Sequence, residues 1–182
     1  MPHVTLGVLT SSWNFALLFL RLTVAVVFFA HGYNHIFGGG KIKGTAGWFE
    51  SLGMKPGILH AWMASLMEIG AAVLLALGFL TPLGGAAVVG VMLVAWITNH
   101  RGNGFFIFRP GEGWEYVMVL TFLGAIIGAL GPGYWSIDGH VATLREHLWG
   151  WKGFAISAGL GTVGALLLLA VYWRPPKKPV ES

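Results

Sequence analysis

Four ionisable side chains, His31, Glu68, His100 and Glu115, stand at or inside the ends of four successive apolar stretches in a chain of 182 residues. A charged group at membrane depth costs about 2.5–3.5 kcal/mol on insertion scales, so it marks a partner, a cavity or a pathway. Imidazoles and carboxylates together can take up and deliver protons near neutral pH. They can also donate to the carbonyl oxygens of a small bound molecule, or hold a metal. His35 lies one turn beyond His31 on the same helical face, with Asn34 between them, and Asn103 follows His100; these residues add donors at the rim of a shared pocket. The chain has no cysteine, which excludes dithiol chemistry, a cysteine-ligated cluster and covalently attached haem.

The elements that must position these groups are membrane helices. Apolar residues make up 55% of the chain and charged residues 10%, and the mean hydropathy is +0.72, which is the composition of an integral membrane protein. No soluble module of useful size fits in what remains. Runs long enough to span lie at residues 13–37, 59–80, 83–100, 114–131 and 153–173. Each is expected to be helical, because lipid offers backbone groups no other partner. Trp13, Trp62, Trp96, Trp114, Trp151 and Trp173 near the edges suit amphipathic rings at headgroup level. The first run, with no Lys or Arg before Arg21 and too long for a signal core, is expected to stay in the membrane. The fold class is therefore an all-α integral membrane protein, with a four-helix transmembrane bundle and a fifth, C-terminal transmembrane helix.

This divides the chain into a four-helix domain over 1–140, an interfacial amphipathic segment over 141–152, the fifth span over 153–173 and a disordered tail over 174–182. Residues 44–54 read as a further short interfacial helix. Residues 100–114, with a turn at Asn103-Gly104 and an apolar run from Phe105 to Phe108, could fold back over the bundle mouth. Lys41, Lys43, Lys55, Arg101, Arg109, Arg174, Lys177 and Lys178 fall on one side, against Arg145 and Lys152 on the other. The positive-inside rule then predicts the N-terminus outside and the C-terminus cytoplasmic. The same rule accounts for the net charge of +4 without nucleic acid as a partner. The partners implied are the lipid bilayer and other protein subunits, the latter through the small-residue face of Gly159, Gly161 and Gly164 in the fifth span.

Depth brings the polar residues to one half of the bundle: His31 about 9 Å from the end of the first span, Glu68 about 12 Å into the second, with His100 and Glu115 at the ends of the third and fourth. Arg21 falls nearer the opposite face, where it would snorkel or pair with Asp138. Several readings of the cluster stand open. It could be a neutralised network that only fixes helix register, with Glu68 on His31 and Glu115 on His100 or Arg101. It could bind a quinone or small anion, with His and Asn donating and a carboxylate taking protons. A metal on His31, Glu68, His100 and Glu115 lacks the usual helical Glu-x-x-His pair, and haem between His31 and His100 rests on two lone histidines.

Arg21-Leu leading into His31-Gly32 and Phe37-Gly38, then Gly44-Thr-Ala, Phe49 and Ser51-Leu-Gly, resembles the opening of DoxX family proteins. The resemblance continues through Glu68, Leu77-Gly-Phe-Leu-Thr81, His100 with Asn103-Gly-Phe-Phe106, Gly113-Trp-Glu-Tyr116 and Gly131-Pro-Gly133 to Ser136-Ile-Asp138, covering residues 15–140. It implies a four-helix protein of the DoxX and DoxD group, whose relatives include the small-subunit type of thiosulfate:quinone oxidoreductase. Another relative is a membrane component associated with superoxide dismutase and a sulfurtransferase in thiol-stress defence. The function implied is a membrane subunit of a quinone-linked oxidoreductase complex in a bacterial or archaeal cytoplasmic membrane. That subunit would bind quinone or a small substrate at His31, His35, Glu68, His100, Asn103 and Glu115. The alternative is a non-catalytic anchor or assembly subunit. Two departures stand out: His35 sits where many relatives have lysine, and the fifth span lies outside the four-helix pattern. The chain brings no redox centre of its own, so any enzymatic activity would belong to the complex.

Overall fold

The computed structural model describes residues 2–141, 143 and 148–176. Its elements are α1 (Pro2–Phe37), α2 (Lys41–Ser51), α3 (Gly57–Leu77), α4 (Thr81–His100), α5 (Glu115–Leu130), the single turn α6 (Ile137–His140) and α7 (Gly150–Tyr172). No strand occurs among the described residues. Much of the expected interfacial segment 141–152 and of the tail lies outside them: 142, 144–147 and 177–182.

Four helices are long and apolar enough to cross a membrane: α1 from Thr10, α3, α4 and α7. The remaining expected span, α5, has 16 residues, about 24 Å of helix against a hydrocarbon core of about 30 Å. Its N-terminus is set by Trp114 and its C-terminus by Gly131 at φ +79°, an angle that favours glycine. Phe15, Phe19, Val26, Phe29, Leu66, Val73, Phe122, Ile126, Leu166 and Leu167 are exposed along the helix sides. Such a surface is stable only against lipid.

In the bundle α1 packs on α3, α3 on α4, and α4 on α5, while α7 lies against α4 and α5. Between these helices sits a core of Val24, Phe28, Ala72, Leu75, Val88, Leu120 and Ile127. Trp96 and Trp114 stack here at 5.4 Å, packed against that core instead of spreading along an interface as their edge positions suggested. α2 is a real short helix, displaced three residues toward the N-terminus from the expected 44–54. It packs along the start of α3, where Gly57 leaves room for the Ala46 carbonyl.

The fifth span belongs to the body of the protein. Its small residues meet the bundle in cis: Gly153 against Gly128, Ser157 against Gly85, and Gly161 against Ala86 and Val89, approaches a Cβ would block. The Ser157 hydroxyl also donates to the Pro82 carbonyl at 2.8 Å. Of the face expected to serve a partner, Gly161 is therefore already occupied, whereas Gly159 and Gly164 have open space beside them.

The chain crosses back and forth between two ends. One carries the α3–α4 turn and residues 131–141; the other carries α2, the loop 101–114 and the exit from α7. At this second end Trp173 Nε1 donates to the Leu52 carbonyl at 3.0 Å, and the Arg174 amide donates to the Gly53 carbonyl at 2.9 Å. The last span is thereby fastened to the α2–α3 corner.

Candidate functional site

Gly32 makes the site possible. A Cβ there would lie 2.8 Å from Ile69 Cγ1 and 2.9 Å from the Ser65 carbonyl, so α1 and α3 approach closely only because residue 32 has no side chain. One turn on, His35 Nδ1 reaches Glu68 Oε2 at 3.0 Å. Glu68 is 3% exposed and His35 half-buried. The contact has ion-pair distance without hydrogen-bond alignment, so neither of the two atoms gains a hydrogen bond. This is the one ion pair among the described residues.

Beside the pair opens a small cleft of about 10 Å³, room for about one water, lined by Val27, Phe28, His31, Glu68, Met92, Tyr116 and Leu120, drawn from α1, α3, α4 and α5. His31 Nδ1 lies 2.9 Å from the Val27 carbonyl, which fixes the ring and leaves Nε2 as its free functional atom. The arrangement is an apolar chamber with a buried carboxylate, two imidazoles at or next to it and a phenol on its wall. It can hold a proton at Glu68 or His35 and present a second donor from His31 or Tyr116. Glu68 lies eleven residues into α3, about 17 Å along its axis. That is deeper than the expected 12 Å, because α3 starts at Gly57 and α2 flanks its first turns.

The remaining sequence-predicted ligands form a second group at the loop end. His100 closes a π turn, Trp96–His100, in which the Arg101 amide bonds the Trp96 carbonyl five residues back. Its Nδ1 is 2.9 Å from the Glu112 carbonyl and its Nε2 is 3.2 Å from Asn99 Nδ2. Asn103 Nδ2 donates to the carbonyls of Asn99, Gly111 and Glu112. Glu115 accepts from the Ile107 amide at 3.1 Å. All three fold residues 101–114 back on themselves, with the Trp114 and Glu115 amides closing on Gly104 and Phe105. No hydrogen bond or ion pair joins them to His31, His35 or Glu68 among the described residues. The expected single chamber is thus two groups, and Glu115 pairs with neither His100 nor Arg101 by an ion pair. Nor does the metal alternative have a ligand set: no three His, Cys, Asp or Glu converge among the described residues. Haem between His31 and His100 meets the same obstacle, since both ring nitrogens of His100 are engaged.

Arg21 and Asp138 prove structural by a route other than an ion pair. Arg21, 1% exposed, does not snorkel. Its guanidinium donates to the Leu75 carbonyl at 2.7 Å, the Ala76 carbonyl at 3.4 Å and the Trp135 carbonyl at 2.6 Å. Asp138 accepts from the amides of Leu80 and Thr81 and from the Thr81 hydroxyl at 2.8–2.9 Å. The cation therefore caps the last carbonyls of α3 and the anion caps the first amides of α4, each at the helix end its charge complements. Gly78, at φ +62°, makes the turn between them; a side chain there would strike Ser136 and Arg21.

Sequence reading missed His60, buried at 2% exposure with its Nε2 unpartnered, its ring edge-on to Tyr172 at 5.0 Å and near Phe49. The signal available was its place on an apolar helix, one turn after Pro56. Tyr116 was noticed only as part of a motif, although it lies one helical turn from Leu120, and both line the cleft.

A family model described as DoxX matches residues 16–101, which include Arg21, His31, Glu68 and His100. No match to the chain was found among curated proteins or solved structures.

Proposed function

We propose that this chain, whose residues 16–101 match the DoxX family model, is a DoxX-family membrane protein that serves as the membrane subunit of a quinone-linked oxidoreductase complex. In this reading the cleft of α1, α3, α4 and α5 receives the polar edge of a quinone or similar small substrate. The observation that carries it is Glu68: a carboxylate buried at mid-helix, in contact with His35 and open to a cleft shared with His31 and Tyr116. An acid and an imidazole in contact at the edge of a cleft are groups between which a proton can be passed. Quinone as substrate would bring the electron-accepting chemistry. Glu68 and His35 would hold the proton, and His31 Nε2 and the Tyr116 hydroxyl would orient a carbonyl oxygen.

The size of the cleft limits what enters. At about 10 Å³ it has room for about one water molecule, far below the 300–1,000 Å³ pockets that enclose drug-sized ligands. In this reading a ring edge enters only when Val27, Phe28, Met92 and Leu120 part to widen the cleft, and an isoprenoid tail remains in lipid. In membranes, Glu68→Gln and His35→Ala are expected to lower electron transfer to quinone on the order of 100-fold, with insertion unchanged. Normal quinone reduction by both variants would overturn the proposal.

The anchor reading has its own support, because His100, Asn103, Glu115, Arg21 and Asp138 all satisfy backbone groups of the fold. It expects those variants to lose complex assembly and leave turnover per assembled complex intact. The membrane we assign is a bacterial or archaeal cytoplasmic membrane with the N-terminus outside. Its support is that Lys41, Lys43, Lys55, Arg101, Arg109 and Arg174 all lie at the α2 end.

A further inference from the structure

Where α7 leaves the bundle, two arginines meet one tryptophan. Arg101, immediately past the end of α4, places Cζ 5.5 Å from the centre of the Trp173 ring. Arg174, the next residue in the chain, turns its Nη1 back to the carbonyls of Trp173 at 2.8 Å and Ala170 at 3.3 Å. Both guanidiniums are exposed, and neither contacts a carboxylate among the described residues. Arg101 has no carbonyl acceptor there either, so cation–π contact with Trp173 is what places it.

Three backbone and side-chain ties make this a built location. Trp173 pairs with Met54 in a single antiparallel bridge, its indole donates to Leu52, and the Arg174 amide donates to Gly53. Lys55, directly after Met54, adds a third cation to the same corner. Just inside it, Leu167 and Val171 are exposed one above the other on α7, at 62% and 60%. A tryptophan at the end of an apolar helix marks headgroup level. Two like charges gathered at one residue at that level, one over its ring and one on its carbonyl, present donors to an anion lying between them.

We propose that this seam binds the headgroup of an anionic phospholipid. Its phosphate would be held between Arg101 and Arg174 above Trp173, and its acyl chains would lie along Leu167 and Val171. Arginine suits this task because its planar fork presents paired donors to phosphate oxygens. The site lies outside the cleft between α1 and α3 and does not depend on what that cleft binds.

The test uses the full-length protein in phosphatidylcholine nanodiscs with graded phosphatidylglycerol. Native mass spectrometry reads the retained lipid, and quenching by brominated phosphatidylglycerol reads its position. Wild type is expected to retain phosphatidylglycerol in preference to phosphatidylcholine. The double variant R101Q/R174Q should retain it about 30-fold less, at roughly a factor of five for each removed cation. Arg101→Lys with Arg174→Lys should keep most of the preference, and Trp173→Phe should remove the largest share of the quenching. Equal retention by wild type and R101Q/R174Q would overturn the proposal. So would displacement of the lipid by inorganic phosphate at matched concentration, which would make the seam a site for the free anion.

Discussion

The α3–α4 turn and the α1–α3 contact each bury charge, and they spend it differently. At the turn, Arg21 and Asp138 together make six hydrogen bonds, five of them to backbone groups and one to the Thr81 hydroxyl. Removing either charge would strand helix-end groups in a place that water does not reach. At the α1–α3 contact, Glu68 and His35 meet only each other, and no amide or hydroxyl donates to the carboxylate among the described residues. Charge used to terminate helices is tied to several backbone groups at once. The acid–imidazole contact beside the cleft has no such ties, so altering it leaves the helix ends intact, as the proposed role of the cleft requires.

Variants can separate these two behaviours. The largest effect is expected from Asp138→Ala, which leaves the amides of Leu80 and Thr81 without acceptors and should cost about 3 kcal/mol. Thermal unfolding in detergent would read it, and a cost no greater than that of Glu68→Gln would erase the contrast. Gly32→Val comes next: forcing a side chain between α1 and α3 should cost about 2 kcal/mol and part His35 from Glu68. Its decisive readout is double-mutant coupling of Gly32→Val with Glu68→Gln, because two changes acting through one contact should be strongly non-additive. The smallest effect belongs to His100→Ala, about 1 kcal/mol from two hydrogen bonds at a partly exposed loop. Faster proteolysis within residues 101–114, with insertion and bundle stability near wild type, would place His100 with the loop. A loss of quinone reduction equal to that of Glu68→Gln would instead join the two groups into one site.

Much of the fold was legible because hydropathy reports burial in lipid directly. The ends of the second to fifth runs differ by three residues or fewer from α3, α4, α5 and α7. The start of α1 was not legible, since the helix extends back to Pro2 through a stretch where Thr5, Thr10, Ser11 and Ser12 interrupt the apolar pattern. The site was harder to read for a geometric reason. Counting residues from a helix end gives height but not azimuth, so four side chains at one depth need not face one another. The π turn before His100 worsens this, because five-residue bonding shifts the angular register of the residues beyond it. Gly32 was visible as part of a motif, but its meaning as a contact point required knowing that Ser65 and Ile69 stand opposite. The roles of Arg21 and Asp138 were half legible. Both were placed at the outer end of the bundle, but that opposite charges would serve two different helix ends, instead of each other, depends on the tight turn at Gly78.

The clasp between Trp173-Arg174 and Leu52-Gly53 joins segments separated by about 120 residues. Those two residues are translated after every span of the bundle, so the carbonyls of Leu52 and Gly53 must wait for them through most of synthesis. Closure of this corner therefore reports that α7 has reached its place against the earlier helices. A chain that stops short of Trp173 leaves the α2–α3 corner unfastened, with the Leu52 and Gly53 carbonyls lacking the donors that α7 supplies.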